Sequence, residues 1–327
     1  MGDPAGIGPE IIAHFFSEFE PRRSTALIIG APGILRIWTE RYGLNCPIID
    51  SAEEMAEIRS TVPFSVYILD SGCRDEVPVG VHCRQGGRHA GSSIELACRL
   101  ARAGVIQAVV TAPISKESLN LAGYPFSGHT EMLADRFSSP NCQMMMVYHQ
   151  LRVVPATRHI PLLEVSKQVT ESRLNSCLAV VHGALKEHFG ISRPRIALSA
   201  LNPHAGEGGV LGTEEIEVIL PAIERARQDG IRVEGPFAAD SLFQTHREGR
   251  YDAFVTMYHD QGLIPFKMVA RKRGINVTVG LPVIRTSVDH GVAFDIAGRG
   301  VAGTTSLAAA YRLAEKIAGR HKRAVPG

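Results

Sequence analysis

Short apolar runs alternate with longer segments of helical periodicity along nearly the whole chain, and this alternation restricts the fold more than any other feature. The runs are Ala26–Ile29, Val66–Leu69, Ala108–Val110, Met144–Val147, Ile196–Leu198, Ala253–Met257 and Val277–Val279. Between them lie the helical segments Ser92–Ala103, Thr170–His188, Thr213–Gln228 and Ser306–Ala318. Strand–helix–strand repetition builds a largely parallel sheet, because a crossover helix returns the chain to the starting end of the next strand. The expected class is α/β. At 327 residues the chain is too long for one small core and suits two such domains. Thr213-Glu214-Glu215-Ile216, a capping-type residue followed by acids, predicts a helix start.

Composition removes several function classes. Hydrophobic residues make up 45% of the chain and charged residues 21%, a globular balance. The net charge of +2, with acids and bases intermixed, lacks the basic stripe that a nucleic-acid surface requires. Arg320, His321, Lys322 and Arg323 read as a solvated helix end favoured by the helix dipole. Cys46, Cys73, Cys83, Cys98, Cys142 and Cys177 form no C-x-x-C pair, which predicts free thiols in a reducing compartment. No run of about 18 apolar residues and no signal-peptide pattern occur, so the expected location is the cytoplasm, with no membrane partner.

Met1 is followed at once by Gly2-Asp3-Pro4-Ala5-Gly6-Ile7-Gly8-Pro9-Glu10. A glycine-rich turn entering a helix normally follows a strand, and here that strand is missing. Pro9 suits a first helical turn, and Gly6 and Gly8 would let a ligand approach free amides.

Three of the thirteen histidines share an unusual setting. His159 follows the strand-like Val153–Ala156 and precedes Pro161. His204 lies in Leu201-Asn202-Pro203-His204-Ala205-Gly206-Glu207-Gly208-Gly209, just after Ile196–Leu198. His259 lies in Met257-Tyr258-His259-Asp260-Gln261-Gly262, just after Ala253–Met257. All three fall at the carboxyl ends of expected strands, where open α/β sheets place their ligands. One such histidine alone would be read as structural; three at equivalent positions predict a divalent-metal site with positions left for substrate. Asn202 and Glu207 are candidates to support the ligating imidazoles.

Other residues suit an anionic substrate. His129 and Thr130, in Ser127-Gly128-His129-Thr130-Glu131, would sit with free amides at a helix start. Lys267, Asn276 and Arg285 offer a cation, an amide and a guanidinium able to grip an oxyanion bidentately. Asp240, Asp260 and Asp289 are candidates for proton transfer or for orienting histidines, with Asp240 and Asp260 preferred.

Together, Gly2–Glu10, Ser127–Glu131, Leu201–Gly209, Met257–Gly262 and Gly280–Gly291 (GLPVIRTSVDHG) resemble the 4-hydroxythreonine-4-phosphate dehydrogenase family, in the same order and over nearly the whole chain. The resemblance implies that His159, His204 and His259 bind a divalent metal (zinc, magnesium or cobalt). It implies that His129, Thr130, Lys267, Asn276 and Arg285 contact a phosphorylated four-carbon hydroxy acid. It also implies a homodimer whose active sites lie at the interface. The reaction implied is NAD- or NADP-linked oxidation of 4-phosphohydroxy-L-threonine at its 3-hydroxyl, then decarboxylation to 3-amino-2-oxopropyl phosphate. Paralogues acting on 4-phospho-D-threonate or 4-phospho-D-erythronate carry the same histidines. The run His290-Gly291-Val292-Ala293-Phe294-Asp295-Ile296-Ala297-Gly298 is similar to the nucleotide loop of isocitrate and isopropylmalate dehydrogenases, which implies cofactor contacts for His290, Gly291, Ala293 and Asp295. The fold implied is two α/β domains flanking a cleft: residues 1–126 plus 284–327 carrying the nucleotide loop, and 127–283 carrying the metal and substrate residues. A metal-dependent hydrolase or lyase, or a non-catalytic metabolite binder, would use many of the same residues.

Overall fold

A computed structural model describes residues 1–51, 54, 66–271 and 273–324. It divides the chain into two compact units, Met1–Ser138 with Pro282–Lys322, and a second built on Ser139–Leu281. Against the sequence-based boundary at 126/127, residues 127–138, with His129 and Thr130, fall in the first unit.

In the first unit, β1 (Ala26–Gly30), β2 (Ile48–Ile49) and β3 (Val66–Asp70) form a parallel sheet in the order β1-β3-β2. β4 (Ala108–Thr111) pairs in parallel with β11 (Ile284–Ser287), supplied by the returning segment. The helix Gly8–Glu18 sends Ile11, Ile12 and Phe15 into a core with Ile28, Leu35, Ile68 and Leu307. β11 reads Ile-Arg-Thr-Ser, yet all four residues are buried; a search for apolar runs passes over such a strand. The helix expected at 92–103 starts earlier, spanning Arg84–Arg102, because the Cys83 thiol caps it by accepting from the Gly86 N–H. The last helix runs Thr305–Ala324 and carries the basic residues 320–323 in its final turns.

The Met1 amino group donates to the Ile29 carbonyl at 2.8 Å. A cavity of about 450 Å³, bordered by residues of β1 and β4, lies beside it, with Leu27, Ile29, Val109, Leu133 and Leu307 among its lining.

In the second unit, β5 (Gln143–Tyr148), β6 (Leu151–Pro155), β7 (Arg195–Ser199), β8 (Arg232–Phe237), β9 (Ala253–Thr256) and β10 (Ile275–Val279) lie in the order β10-β5-β6-β9-β7-β8. The expected parallel character holds for β6, β9, β7 and β8. β5 instead runs antiparallel to both neighbours, forming a hairpin with β6 that turns through His149 in the left-handed region (φ 51°). Val153, Ala197, Phe254 and Phe266 are fully enclosed in the sheet's core. The helix Glu171–Glu187, capped by the Thr170 hydroxyl on the Arg173 N–H, buries Leu174, Cys177, Leu178 and Val181. The helix expected at 213–228 opens with a wide π turn, Glu215–Ile219, that continues into Leu220–Gln228. No helix among the described residues is long and apolar enough to cross a membrane.

Candidate active site

β6, β9 and β7 are adjacent and parallel, so their carboxyl ends share one edge of the second unit's sheet. The three histidines follow these three ends. His159 occupies the exposed turn after β6. His259 is the first residue of the helix His259–Ala270, three residues past the end of β9. His204 lies in the segment Pro203–Gly209 beyond β7.

The rings of His159 and His259 are brought together, their centres 5.5 Å apart. Two imidazoles sharing one tetrahedral cation through bonds of about 2.1 Å have ring centres roughly 5–6 Å apart, so this pair fits a divalent ion. His259 Nδ1 is 2.7 Å from Asp260 Oδ1. That contact occupies one ring nitrogen and leaves Nε2 to ligate, the usual support of a metal-binding histidine. Within the single chain His204 does not complete the set: no group of three or more His, Cys, Asp or Glu side chains among the described residues stands in a metal-holding arrangement.

His204 is presented by an uncommon backbone. Residues 204–208 have φ of 52°, 55°, 76°, 44° and 66°, a full turn of left-handed helix in which only Gly206 and Gly208 are glycines. Each non-glycine residue there costs about 1–2 kcal/mol, so His204, Ala205 and Glu207 need something that holds them. Asn202 and Glu215 do so. Glu215, 2% exposed, accepts from the Leu201 and Asn202 N–H groups at 2.8 Å each and from Asn202 Nδ2 at 2.9 Å. Asn202 Nδ2 also donates to Glu214 at 2.7 Å. Gly206 is required by close approach as well as by φ, because a Cβ there would lie 2.7 Å from Glu215 Oε2. Glu214 and Glu215, which read in sequence as acids opening a helix, are thus turned back onto the preceding loop. Glu207, read as a possible support for an imidazole, is itself part of the left-handed turn and is exposed.

Gln261 follows Asp260 in the first turn of the same helix. Its Oε1 accepts from the Met257 N–H (2.7 Å) and from the Ser199 hydroxyl (2.8 Å), and its Nε2 donates to the Ala200 carbonyl (2.8 Å). One side chain therefore ties the end of β7 to the end of β9. The three-way contact exists only because β7 lies beside β9, a pairing no local pattern announces.

The anion-binding candidates divide between the units. In the first, His129 and Thr130 open the helix His129–Arg136. Arg285, 2% exposed on β11, donates from Nη2 to the Thr111 hydroxyl at 2.8 Å. Burial, and then the Arg285 guanidinium, push the His129 imidazole well below its ordinary 6.5, so it is neutral at pH 7. In the second, Lys267 is exposed on the helix His259–Ala270. Asn276 lies on β10, and its buried Oδ1 has no hydrogen-bond partner among the described residues. Asp240 is exposed in the first turn after β8.

The segment 290–298 is a chain of turns in the first unit, with His290, Gly291 and Asp295 exposed and Ala293 left-handed (φ 48°). The glycine-rich turn backs it. The Ile7 N–H donates to the Val292 carbonyl at 3.0 Å, and a Cβ on Gly6 would lie 2.6 Å from that oxygen. These two turns are thus closely packed, with the His290 and Asp295 side chains left exposed, and Gly2–Glu10 has its place beneath them.

Comparison with known proteins agrees with this assembly of motifs. The family model of the pyridoxal phosphate biosynthetic protein PdxA matches residues 22–314. A 4-hydroxythreonine-4-phosphate dehydrogenase of Desulforapulum autotrophicum is 43% identical over 325 residues, covering 96% of this chain and 93% of the relative. A Bradyrhizobium diazoefficiens protein provisionally named D-threonate 4-phosphate dehydrogenase is 42% identical, covering 97% and 95%. The crystal structure of a 4-hydroxythreonine-4-phosphate dehydrogenase from Klebsiella pneumoniae, 37% identical, superposes with a TM-score of 0.86 over 97% of this chain and 96% of that one.

Proposed function

The chain belongs to the PdxA family of pyridoxal phosphate biosynthetic proteins, and on that footing we propose that it is a dehydrogenase, dependent on NAD or NADP and on a divalent cation, that oxidises 4-phosphohydroxy-L-threonine at its 3-hydroxyl. The oxidised product is a β-keto acid, which loses carbon dioxide to leave 3-amino-2-oxopropyl phosphate. The observation that carries this reading is the His159–His259 pair at the ends of adjacent parallel strands, one ring already oriented by Asp260.

His159, His204 and His259 would hold the cation. When bound, it lowers the cost of negative charge on the substrate's 3-oxygen, both during oxidation and during loss of the carboxylate. His290, Gly291, Ala293 and Asp295 would hold the nicotinamide nucleotide, which supplies the hydride acceptor. Arg285, with its planar fork of donors, would grip phosphate or carboxylate, and the neutral His129 would offer a single N–H beside it. Thr130, Lys267 and the unpartnered Asn276 amide oxygen supply further contacts. Asp260 is committed to His259, which leaves Asp240 as the proposed proton acceptor.

We further propose that the functional form is a homodimer. Leu162 and Leu163 follow His159, Val210 and Leu211 follow His204, and Ile264 and Met268 share a face of the helix that His259 begins; all six are exposed in the single chain. Leu163 is 86% and Met268 76% exposed. Apolar side chains gathered around the proposed ligands are the mark of a surface that a partner covers. A second copy that covers it would bring its own histidines to the incomplete set.

The Bradyrhizobium relative supports a second substrate reading, 4-phospho-D-threonate, and 4-phospho-D-erythronate is the other paralogous alternative. The test offers all three phosphorylated acids with NAD and with NADP, after loading with zinc, magnesium or cobalt, and follows reduced-nicotinamide absorbance. Reduction with the L-threonine derivative and release of carbon dioxide are expected. Release of inorganic phosphate without cofactor reduction would make the protein a hydrolase and overturn the reading.

A further inference from the structure

We propose that Glu215 is the positioning residue of the site, holding the His204 turn in the left-handed shape from which its imidazole ligates the cation. The inference rests on the reading of His204 as a ligand and goes beyond it to the group that makes the turn possible.

The carboxylate is almost fully enclosed, and its hydrogen bonds go to the residues that lead into the turn: two backbone N–H groups and the Asn202 amide. Those contacts fix the chain up to Asn202. Gly206, halfway round the turn, lies against Glu215 Oε2 closely enough to exclude a Cβ, and its carbonyl accepts from the Leu211 N–H at 3.0 Å. One side chain thus braces the start and the middle of a segment that runs through three non-glycine residues in the left-handed region. Glu215 also begins a π turn rather than an α-helical one. Wide turns of this kind are recurrent at functional positions, and here the widening accompanies a side chain directed back at the loop instead of along its own helix. Glu215 touches neither substrate nor cation, and its action is through His204.

The test measures zinc affinity of the full chain by calorimetry, together with amide hydrogen exchange over residues 201–212. Glu215→Ala should weaken zinc binding on the order of 10–100-fold, the range found when a support of a metal ligand is removed, and should speed exchange in the loop. Glu215→Gln, whose amide oxygen still accepts both backbone N–H groups, should recover most of the affinity. Leu174→Ala, a core substitution on another element, should lower the melting temperature without moving zinc affinity. If Glu215→Ala does not fold, Asn202→Asp, which sets a carboxylate against Glu215, carries the same expectation. Wild-type zinc affinity in Glu215→Ala, or in Asn202→Asp when that variant stands in for it, would overturn the proposal. His204→Ala separates the two levels. Unchanged zinc affinity in His204→Ala would remove the ligand reading itself, whereas lost affinity there with full affinity in Glu215→Ala would remove only the positioning role.

Discussion

His259 Nδ1 and Asp260 Oδ1 stand 2.7 Å apart, so a neighbouring carboxylate decides which nitrogen of this imidazole faces outward. Asp260→Asn should lower divalent-cation affinity by about 10–100-fold while leaving the fold in place. A titration with zinc or cobalt checks it. Full cation affinity combined with loss of the acidic limb of the pH–rate profile would instead make Asp260 the proton acceptor.

Gln261 joins two strand ends by three hydrogen bonds to groups that are mostly buried. Gln261→Leu leaves the Met257 N–H unpaired and the Ala200 carbonyl with only the Ser199 hydroxyl, and should destabilise the second unit by about 1–3 kcal/mol. Denaturant unfolding measures the loss. Both histidine loops move with those strand ends, so the cation concentration for half-maximal activity should rise as well.

The depressed His129 predicts a pH effect on stability. Its folded-state pKa lies below the ordinary 6.5, so the unfolded chain takes up the proton first. The stability contributed by the neutral, half-buried ring is therefore intact above about pH 6.5 and is lost as pH falls from there towards the depressed value. Unfolding midpoints at pH 7.5 and 5.5 should differ less in His129→Gln than in the unmodified protein. An equal difference in both would remove His129 as the source.

Arg285 is enclosed and anchored on the Thr111 hydroxyl, so its guanidinium is held in one orientation. Lysine keeps the charge and loses the planar fork. Arg285→Lys should lower kcat/KM for the phosphorylated substrate by roughly 100-fold, raising KM through the lost bidentate grip and lowering kcat because a displaced anion displaces the reacting carbon. Steady-state kinetics with unchanged KM would contradict the assigned contact.

Leu163→Asp and Met268→Asp each place a charge in the exposed apolar surface beside the proposed ligands. Sedimentation should show the unmodified protein as a dimer and the variants as monomers with weakened cation binding. A monomer that binds the cation at full strength would remove the partner from the site.

The strand ends carrying His159, His204 and His259 were legible because buried strands of an α/β sheet announce themselves as apolar runs, and loops after them hold ligands by geometry alone. The order β6-β9-β7 was not legible, since it is set by pairings far apart in the chain. Gln261 depends on that order and was hidden with it. Glu215 was hidden for a different reason: an acid near a helix start already has a sufficient local explanation, and only the fold shows its side chain turned to Leu201 and Asn202. β11 escaped because Arg285 and two hydroxyl residues interrupt its apolar character, although all are buried.

The return of the chain to the first unit at Pro282 has a consequence for synthesis on the ribosome. All strands of the second unit, β5 to β10, are synthesised before β11, so β4 lacks its partner until the whole of that unit has been made. Arg285 arrives on that late strand, long after His129 and Thr111. The guanidinium proposed for the substrate's anion therefore joins His129 and Thr111 only after the chain has made the unit that carries the proposed cation ligands.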